Sequence, residues 1–446
     1  MCEYSKYINT SGDVINAEEN NGKTINVFHI FALYVLMLLI YWMDGSPISL
    51  VGYFIVGVWS YFNPLLLLSL LGASNYLPAV LGLSPLLISI CLMIVIIILR
   101  TKLFRIVYTS LDWRIILLIL IVMWSLMSGM TQQDMSFMGS MITAFICYII
   151  LKAYLDKFET QSSAILHLAT GIGFGIVLAF LIKLGISGFA SFHPFRLAIG
   201  ERADPNSTGL LMAIFFIYSF IQFTNKLGDS FKKALPYLVF ILLGLWVLLL
   251  TQSRGSILCA GITAVIYLLC SKKRRVGSKE IFIVLELGLC AAIILILAGN
   301  SALGALGDAL EQFIFRVETN SSVDGERLYL LEQSFKSFFE NPIFGTSLSD
   351  FEFIAGHVPH NTFSDYMVTN GIIGIVFFIV MYTAPIISMY PFKKTYRLNL
   401  AYYCYFVCFF NILFYSASNE KITIILLVIL MHSIKQEKNI VDGLNT

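Results

Sequence analysis

The chain has 446 residues, of which 58% are hydrophobic and only 13% charged, and its mean hydropathy is +0.82. A soluble protein carries charge on roughly a quarter of its residues, so a water-soluble globular domain is excluded. The net charge of +2 says nothing about partners. No Walker loop, HExxH or cluster with metal-ligand spacing occurs, so neither a metal nor another cofactor is expected, and nothing points to nucleic acid.

Residues 1–26 are polar and Asn-rich and read as a disordered tail, without the basic start and apolar run of a cleavable signal. Apolar runs of membrane-spanning length follow to the far end. They lack the alternation of barrel strands, and only helices or closed barrels satisfy the backbone in lipid. The sequence therefore predicts an all-α, polytopic integral membrane protein, one domain over 27–434 with a short cytoplasmic tail, 435–446. Expected spans are 27–43, 48–71, 79–99, 113–130, 138–155, 163–185, 207–224, 235–252, 256–270, 281–299, 371–390, 400–417 and 422–434. Asn63-Pro64 interrupts the second run and Pro78 and Pro85 border the third. If one early segment is re-entrant, the number of transmembrane helices is 12; otherwise it is 13.

Orientation follows from the loops. Arg100, Lys102, Arg105 and Arg114 form one basic cluster, and Lys272, Lys273, Arg274 and Arg275 the strongest. Lys152, Lys157, Lys226, Lys232, Lys233, Lys393, Lys394, Arg397, Lys435 and Lys438 complete the set. Alternating spans put all of them on one side, the cytoplasmic one. Two long segments then lie outside, 186–206 and 300–370. The second holds ten Asp and Glu residues against Arg316, Arg327 and Lys336. Leu303, Leu306, Leu310 and Phe313 recur at helical spacing, and so do Leu328, Leu331, Phe335, Phe338 and Phe339, ended by Asn341-Pro342. Amphipathic helices there would lie on the membrane surface or cap a cavity.

Polar residues in such a chain are kept where they are used. Arg254, in Thr251-Gln252-Ser253-Arg254-Gly255-Ser256, sits at the outer end of two joined runs, against the charge trend. It either snorkels to headgroups or faces a cavity and holds an anion, for which a planar guanidinium suits phosphate. Arg327 either pairs with Glu326 or Glu332 or serves the same purpose. His360-Asn361 opens the return into the membrane; a His there caps or packs, or takes a proton from a hydroxyl near neutral pH. His357 and His193 are weaker candidates, and His29, His167 and His432 lie near span ends with no anionic partner. Arg196, Arg202 and Asp204-Pro205-Asn206 occupy the first outer segment. The eight cysteines include no CxxC and read as small apolar side chains.

Taken in order, Ser253-Arg254-Gly255, Gly325-Glu326-Arg327-Leu328, Asn341-Pro342-Ile343-Phe344-Gly345, His360-Asn361-Thr362-Phe363 and Asn370-Gly371-Ile372-Ile373-Gly374 resemble the O-antigen ligase/polymerase family of bacterial envelope glycosyltransferases. The resemblance covers about residues 200–390. It departs at Ser364 and Thr369, where the family often has Leu and an acidic residue. It implies a GT-C-like helical fold with an outward-facing cavity in the bacterial inner membrane, and a glycan donor on undecaprenyl diphosphate. By motif position Arg254 and Arg327 would bind the diphosphate and His360 would be the general base, with inversion at the anomeric carbon. Asn361, Arg202 and Arg196 would be further substrate-binding residues, and a chain-length regulator protein a further partner. The leading reading is a repeat-unit polymerase for O-antigen or capsular polysaccharide. The alternatives are a ligase transferring finished glycan to lipid A core, and a flippase or other transporter of lipid-linked oligosaccharide.

Overall fold

The computed structural model describes residues 27–43, 46–100, 116–117, 119–121, 123–124, 132–158, 163–183, 192–193, 196–199, 204–228, 230–270, 321–359, 361–389, 396–414 and 421–444. The N-terminal tail, the expected span 281–299, the amphipathic stretch 303–313, the basic clusters 102–114 and 272–275, Arg202, Arg316 and His360 lie outside the described residues.

Among the described residues the regular structure is helical apart from one two-stranded ladder and an isolated bridge between Val80 and Leu83. In order it forms α1 (Val27–Trp42), α2 (Ser49–Phe62), α3 (Leu66–Ala73), α4 (Pro85–Arg100), α5 (Gln132–Phe158) and α6 (Ala164–Lys183). The strands β1 (Phe192–His193) and β2 (Arg196–Leu197) pair antiparallel, with His193 opposite Arg196. Then come α7 (Pro205–Leu227), α8 (Phe231–Thr251), α9 (Arg254–Cys270), α10 (Ser321–Glu340), α11 (Leu348–Ala355) and α12 (Thr362–Phe378). A π-helical turn at Ile379–Thr383 leads to α13 (Ala384–Met389), followed by α14 (Tyr396–Phe414) and α15 (Lys421–Leu444). Among the described residues four helices are long and apolar enough to cross a membrane: Ala164–Ile182, Pro205–Leu227, Phe231–Thr251 and Thr362–Ser388. Phe28–Trp42, Ser49–Phe62, Pro85–Arg100, Arg254–Cys270, Leu400–Leu413 and Ile422–Gln436 are shorter apolar helices. Along α8, Phe231, Leu235, Val239 and Leu242 are exposed at helical spacing. An apolar face of that kind is unfavourable in water and suits lipid.

The expected run 48–71 is two helices. Asn63-Pro64 breaks it, as the ring of Pro64 and its missing N–H require, and Asn63 leaves the helical region at φ −130°, ψ 83°. The Tyr154 hydroxyl donates to the Pro64 carbonyl and holds the break in place. The short α3 then packs closely on α6. A Cβ on Gly72 would lie 2.4 Å from the Leu168 carbonyl oxygen, and one on Gly171 1.8 Å from that of Ser69. Small residues let two backbones meet in this way where lipid offers no hydrophobic drive for helix association. Ser69 Oγ donates to the His167 carbonyl across the same contact at 2.8 Å.

α7 is the centre of the bundle and packs on α6, α8, α9, α14 and β2. It is buried nearly all round, and its start is fixed locally. Asp204 caps it, with Oδ1 accepting from the Asn206 N–H at 3.1 Å and Oδ2 from the Ser207 N–H at 3.2 Å, and Pro205 fills the first position.

His432 has an anionic partner after all. Asp156, at the end of α5, accepts from His432 Nδ1 at 3.1 Å and from Lys435 Nζ at 3.0 Å on α15. The two residues Asp156 and His432 are 276 positions apart, so adjacency along the chain could not reveal the pair. α15 also runs unbroken past 434 into the expected cytoplasmic tail, as far as Leu444.

Two expectations follow. Gly171→Ala forces α3 and α6 apart and should cost about 2–4 kcal/mol, whereas Gly261→Ala, where an added Cβ meets nothing within 4 Å, should be neutral or slightly stabilising. Thermal midpoints of the detergent-purified variants decide this. Burial would raise the pKa of Asp156, but hydrogen bonds from His432 and Lys435 outweigh it and hold the carboxyl at about 2, below its ordinary 3.8. The lowered folded-state pKa makes the contribution complete above about pH 4 and lost as pH falls toward 2. Asp156→Asn should therefore cost about 1–3 kcal/mol at neutral pH, with the deficit shrinking only under acid. A deficit independent of pH down to that range would contradict the ionic origin.

Candidate functional site

The turn from α8 into α9 is built to hold its shape. Gln252 ends α8 in the left-handed region, φ 50° and ψ 29°, which costs a non-glycine residue roughly 1–2 kcal/mol. The surroundings enforce it. Arg196, presented by β2, donates through Nε to the Thr251 carbonyl at 3.1 Å and through Nη2 to Asn206 Oδ1 at 2.9 Å. Thr251 Oγ1 donates to the Leu248 carbonyl at 2.7 Å and accepts from the Ser253 N–H at 3.3 Å. Ser253 Oγ lies 3.3 Å from Asn206 Oδ1 and 2.9 Å from Ser256 Oγ, and its one proton serves one of them at a time. Asn411 Nδ2, from α14, donates to Ser256 Oγ at 3.3 Å. Five chain segments meet in this polar network, which is buried except at Arg196, Asn206 and Arg254.

Arg254 follows directly, half-buried at the first position of α9. The first turn of a helix carries a partial positive charge and favours anions, so a cation there costs about 0.3–1 kcal/mol. The first turn of α9 has no acidic residue to offset it. Helix stability does not account for Arg254, whereas N–H groups of a helix start together with a guanidinium suit a phosphate or another anion.

A second construction lies between α10 and α12. In a continuous helix the Ile372 N–H would bond to the Val368 carbonyl. Here the chain breaks at Gly371, φ 57° and ψ −139°, and the loop 341–346 is inserted into the gap. The Ile372 N–H donates to the Pro342 carbonyl at 2.8 Å, and the Thr346 N–H donates to the Val368 carbonyl at 2.6 Å. No room remains for a side chain on either glycine at the joint. A Cβ on Gly371 would sit 2.5 Å from the Pro342 oxygen, and one on Gly345, φ 74°, 2.3 Å from the Val368 oxygen. Thr346 Oγ1 accepts from Ser337 Oγ at 3.0 Å and from Asn341 Nδ2 at 3.3 Å, which ties the loop to the end of α10. Leu330 on α10, Phe351 and Ala355 on α11 and Val368 on α12 form a small core around it.

The predicted residues fall as follows. Arg254 and Arg196 meet at the α8–α9 turn. Arg327 is exposed on α10, which packs on α11 and α12. Glu332, one of its two suggested partners, pairs instead with Lys336 at 2.8 Å. Asn361 caps α12, its Oδ1 accepting from the Ser364 N–H at 2.7 Å. His357 is exposed, just beyond Gly356 at the end of α11. Reading from the sequence missed Asn411, a carboxamide inside an apolar run, and the helical nature of 362–370. That stretch buries Thr362, Ser364, Asp365, Thr369 and Asn370, and a buried carboxylate in so apolar a protein is a candidate for a site. Among the described residues no three His, Cys, Asp or Glu side chains come together to hold a metal.

Residues 238–379, which carry the α8–α9 turn, α10 and the joint with α12, match the family model described as O-antigen ligase. That segment is similar to the O-antigen ligase family, and the likeness extends over less than half of the chain. The matched segment excludes Arg196, Arg202 and Asp204. No curated protein sequence matches the chain.

The joint can be tested against the glycine that closes α11. Gly356 also has a positive φ, 84°, but open space around its missing side chain. Gly356→Ala should cost about 1 kcal/mol, from conformation alone. Gly345→Ala and Gly371→Ala should each cost about 3 kcal/mol or more, because backbone oxygens must also move. Thermal midpoints in detergent give the comparison; equal losses at the three positions would mean that the loop is not wedged into the helix.

Proposed function

We propose that the chain polymerises oligosaccharide repeat units, carried on undecaprenyl diphosphate, into O-antigen or capsular polysaccharide at the outer face of the bacterial inner membrane, within an architecture of about twelve spans. The observation that carries this reading is Arg254. It is a cation at a helix start that lacks any acidic residue, braced by a second guanidinium through Thr251 and Asn206, within the segment that matches the family. Such a place suits a diphosphate leaving group.

In the proposed reaction an acceptor hydroxyl attacks the anomeric carbon of the donor, and the bond to the diphosphate oxygen breaks. His360, next to the Asn361 cap, takes the hydroxyl proton; a positioned base of this kind is worth on the order of 10²–10⁴ in rate. Arg254 and Arg327 take up the charge that grows on the departing diphosphate, which fixed donors stabilise without reorganisation. Arg196 and Arg202 add positive potential at the first outer segment, and Arg196 also fixes the turn that aims Arg254. Ser364 and Thr369, where the family often has Leu and an acidic residue, weaken a ligase-specific carry-over; polymerase and ligase share the donor and differ in the acceptor. Sparse charge in the expected spans speaks against a flippase.

Glycan profiling of a deletion strain tests the reading. Single repeat units left on the lipid carrier mean a polymerase, long unattached chains mean a ligase, and an unchanged glycan removes both. In the complemented strain Arg254→Lys should lower polymer yield by on the order of 10² while membrane insertion is kept, because an ammonium cannot grip two phosphate oxygens as a planar fork does. Wild-type chain lengths from Arg254→Lys would exclude a phosphate-binding role.

A further inference from the structure

At the start of α7 lies a cavity of about 180 Å³. A single water needs only on the order of 10–15 Å³ of such space, so the cavity has room for a small polar molecule. Its wall is formed by Asn75 and Tyr76 from the segment after α3 and by Asp204, Ser207 and Thr208 at the start of α7, with Leu211 one turn deeper. Thr208 Oγ1 accepts from the Ile199 N–H at 3.2 Å, which closes one side with the chain that returns from β2.

The chemistry of this wall is two-sided. A carboxylate, a carboxamide and hydroxyls offer partners for an array of hydroxyl groups, while a tyrosine ring and an aliphatic side chain offer an apolar face. A pyranose ring has the same division, with hydroxyls around its edge and C–H groups on its faces. Among the described residues the ionisable groups on the wall are Asp204 and the phenol of Tyr76, and the Asp204 carboxylate repels an anion placed beside it. The cavity and the anion site share one helix turn. Asn206 meets Arg196 and Ser253, and its neighbours Ser207 and Thr208 line the cavity. A Cβ on Gly209 would lie 2.6 Å from Ser253 Cβ, so the helix start that bears the wall residues Ser207 and Thr208 also packs on the turn before Arg254.

We propose that this cavity is the subsite for a neutral sugar residue of the glycan, adjacent to the diphosphate site. The proposal rests on the glycan-transfer reading above and adds to it a place and a charge class for the sugar. Specificity then resides partly in Asn75 and Asp204, outside the segment that matches the family.

The test uses the full-length protein in lipid nanodiscs and saturation-transfer NMR with methyl glucoside, methyl N-acetylglucosaminide and glucuronic acid. Both neutral glycosides should give a saturable signal and glucuronic acid should not. Asn75→Leu and Asp204→Asn should weaken neutral binding roughly tenfold, the usual scale for one lost hydrogen-bonding group in a closed site. Asn can still cap α7, and the two variants lie on different elements, so equal thermal midpoints separate lost binding from lost folding. Unchanged signals in both variants, no neutral signal above empty nanodiscs, or preferential binding of glucuronic acid would each overturn the subsite. The deletion strain keeps the two readings apart. An unchanged glycan there sinks the transfer reading, whereas restored polymer of wild-type length and yield from Asn75→Leu sinks the subsite and leaves transfer standing.

Discussion

One hydrogen bond that α12 does not make governs the arrangement of the family-matched segment. The Val368 carbonyl and the Ile372 N–H should close a helical turn on each other. Instead each is satisfied by the loop 341–346. Backbone groups left unpaired in an apolar surrounding cost several kcal/mol each, so the helix can stay broken only while the loop is seated, and the loop can sit only where glycine leaves space. Asn341-Pro342, Gly345 and Gly371 are therefore one structural device, although they are spread over about thirty residues. It fixes the end of α10, and so the helix of Arg327, relative to the first turn of α12, which Asn361 caps directly after His360.

A comparable economy holds at α7. Its first turn performs three tasks with adjacent residues: Asp204 caps the helix, Asn206 receives Arg196 and Ser253, and Ser207 and Thr208 line the cavity. Because α7 also packs on α6, α8, α9 and α14, its position is set by most of the bundle. The left-handed Gln252 and the helix-start cation Arg254 are both unfavourable locally. They persist because Arg196, Asn206, Thr251 and Asn411 over-determine the turn, and strain retained in this way is characteristic of functional positions.

Much of this was legible along the chain wherever the cause is local. Asp204-Pro205-Asn206 signals a capped helix start and forms one. Asn341-Pro342 ends α10 and Asn63-Pro64 breaks the second run, as expected, and Asn361 caps α12, since caps and prolines act within a few residues. The expected start of a span at Gly371 marks a real discontinuity, but the helix begins nine residues earlier. The polar residues 362–370 hid that, because their burial depends on α10 and α11 rather than on their own hydropathy.

By itself the sequence determined that this protein is helical, that it belongs to the membrane, and the order in which its Arg, His-Asn and Gly motifs occur. Those properties follow from hydropathy summed over windows and from short-range backbone chemistry. Only the tertiary structure decided that Asp156 pairs with His432 and Lys435, that Arg196 clamps the turn before Arg254, that Asn411 reaches Ser256, and that a loop is spliced into α12. Each is a contact between segments far apart in the chain. Its energy depends on a distance and a direction between two packed helices, and neither quantity is encoded within either segment alone.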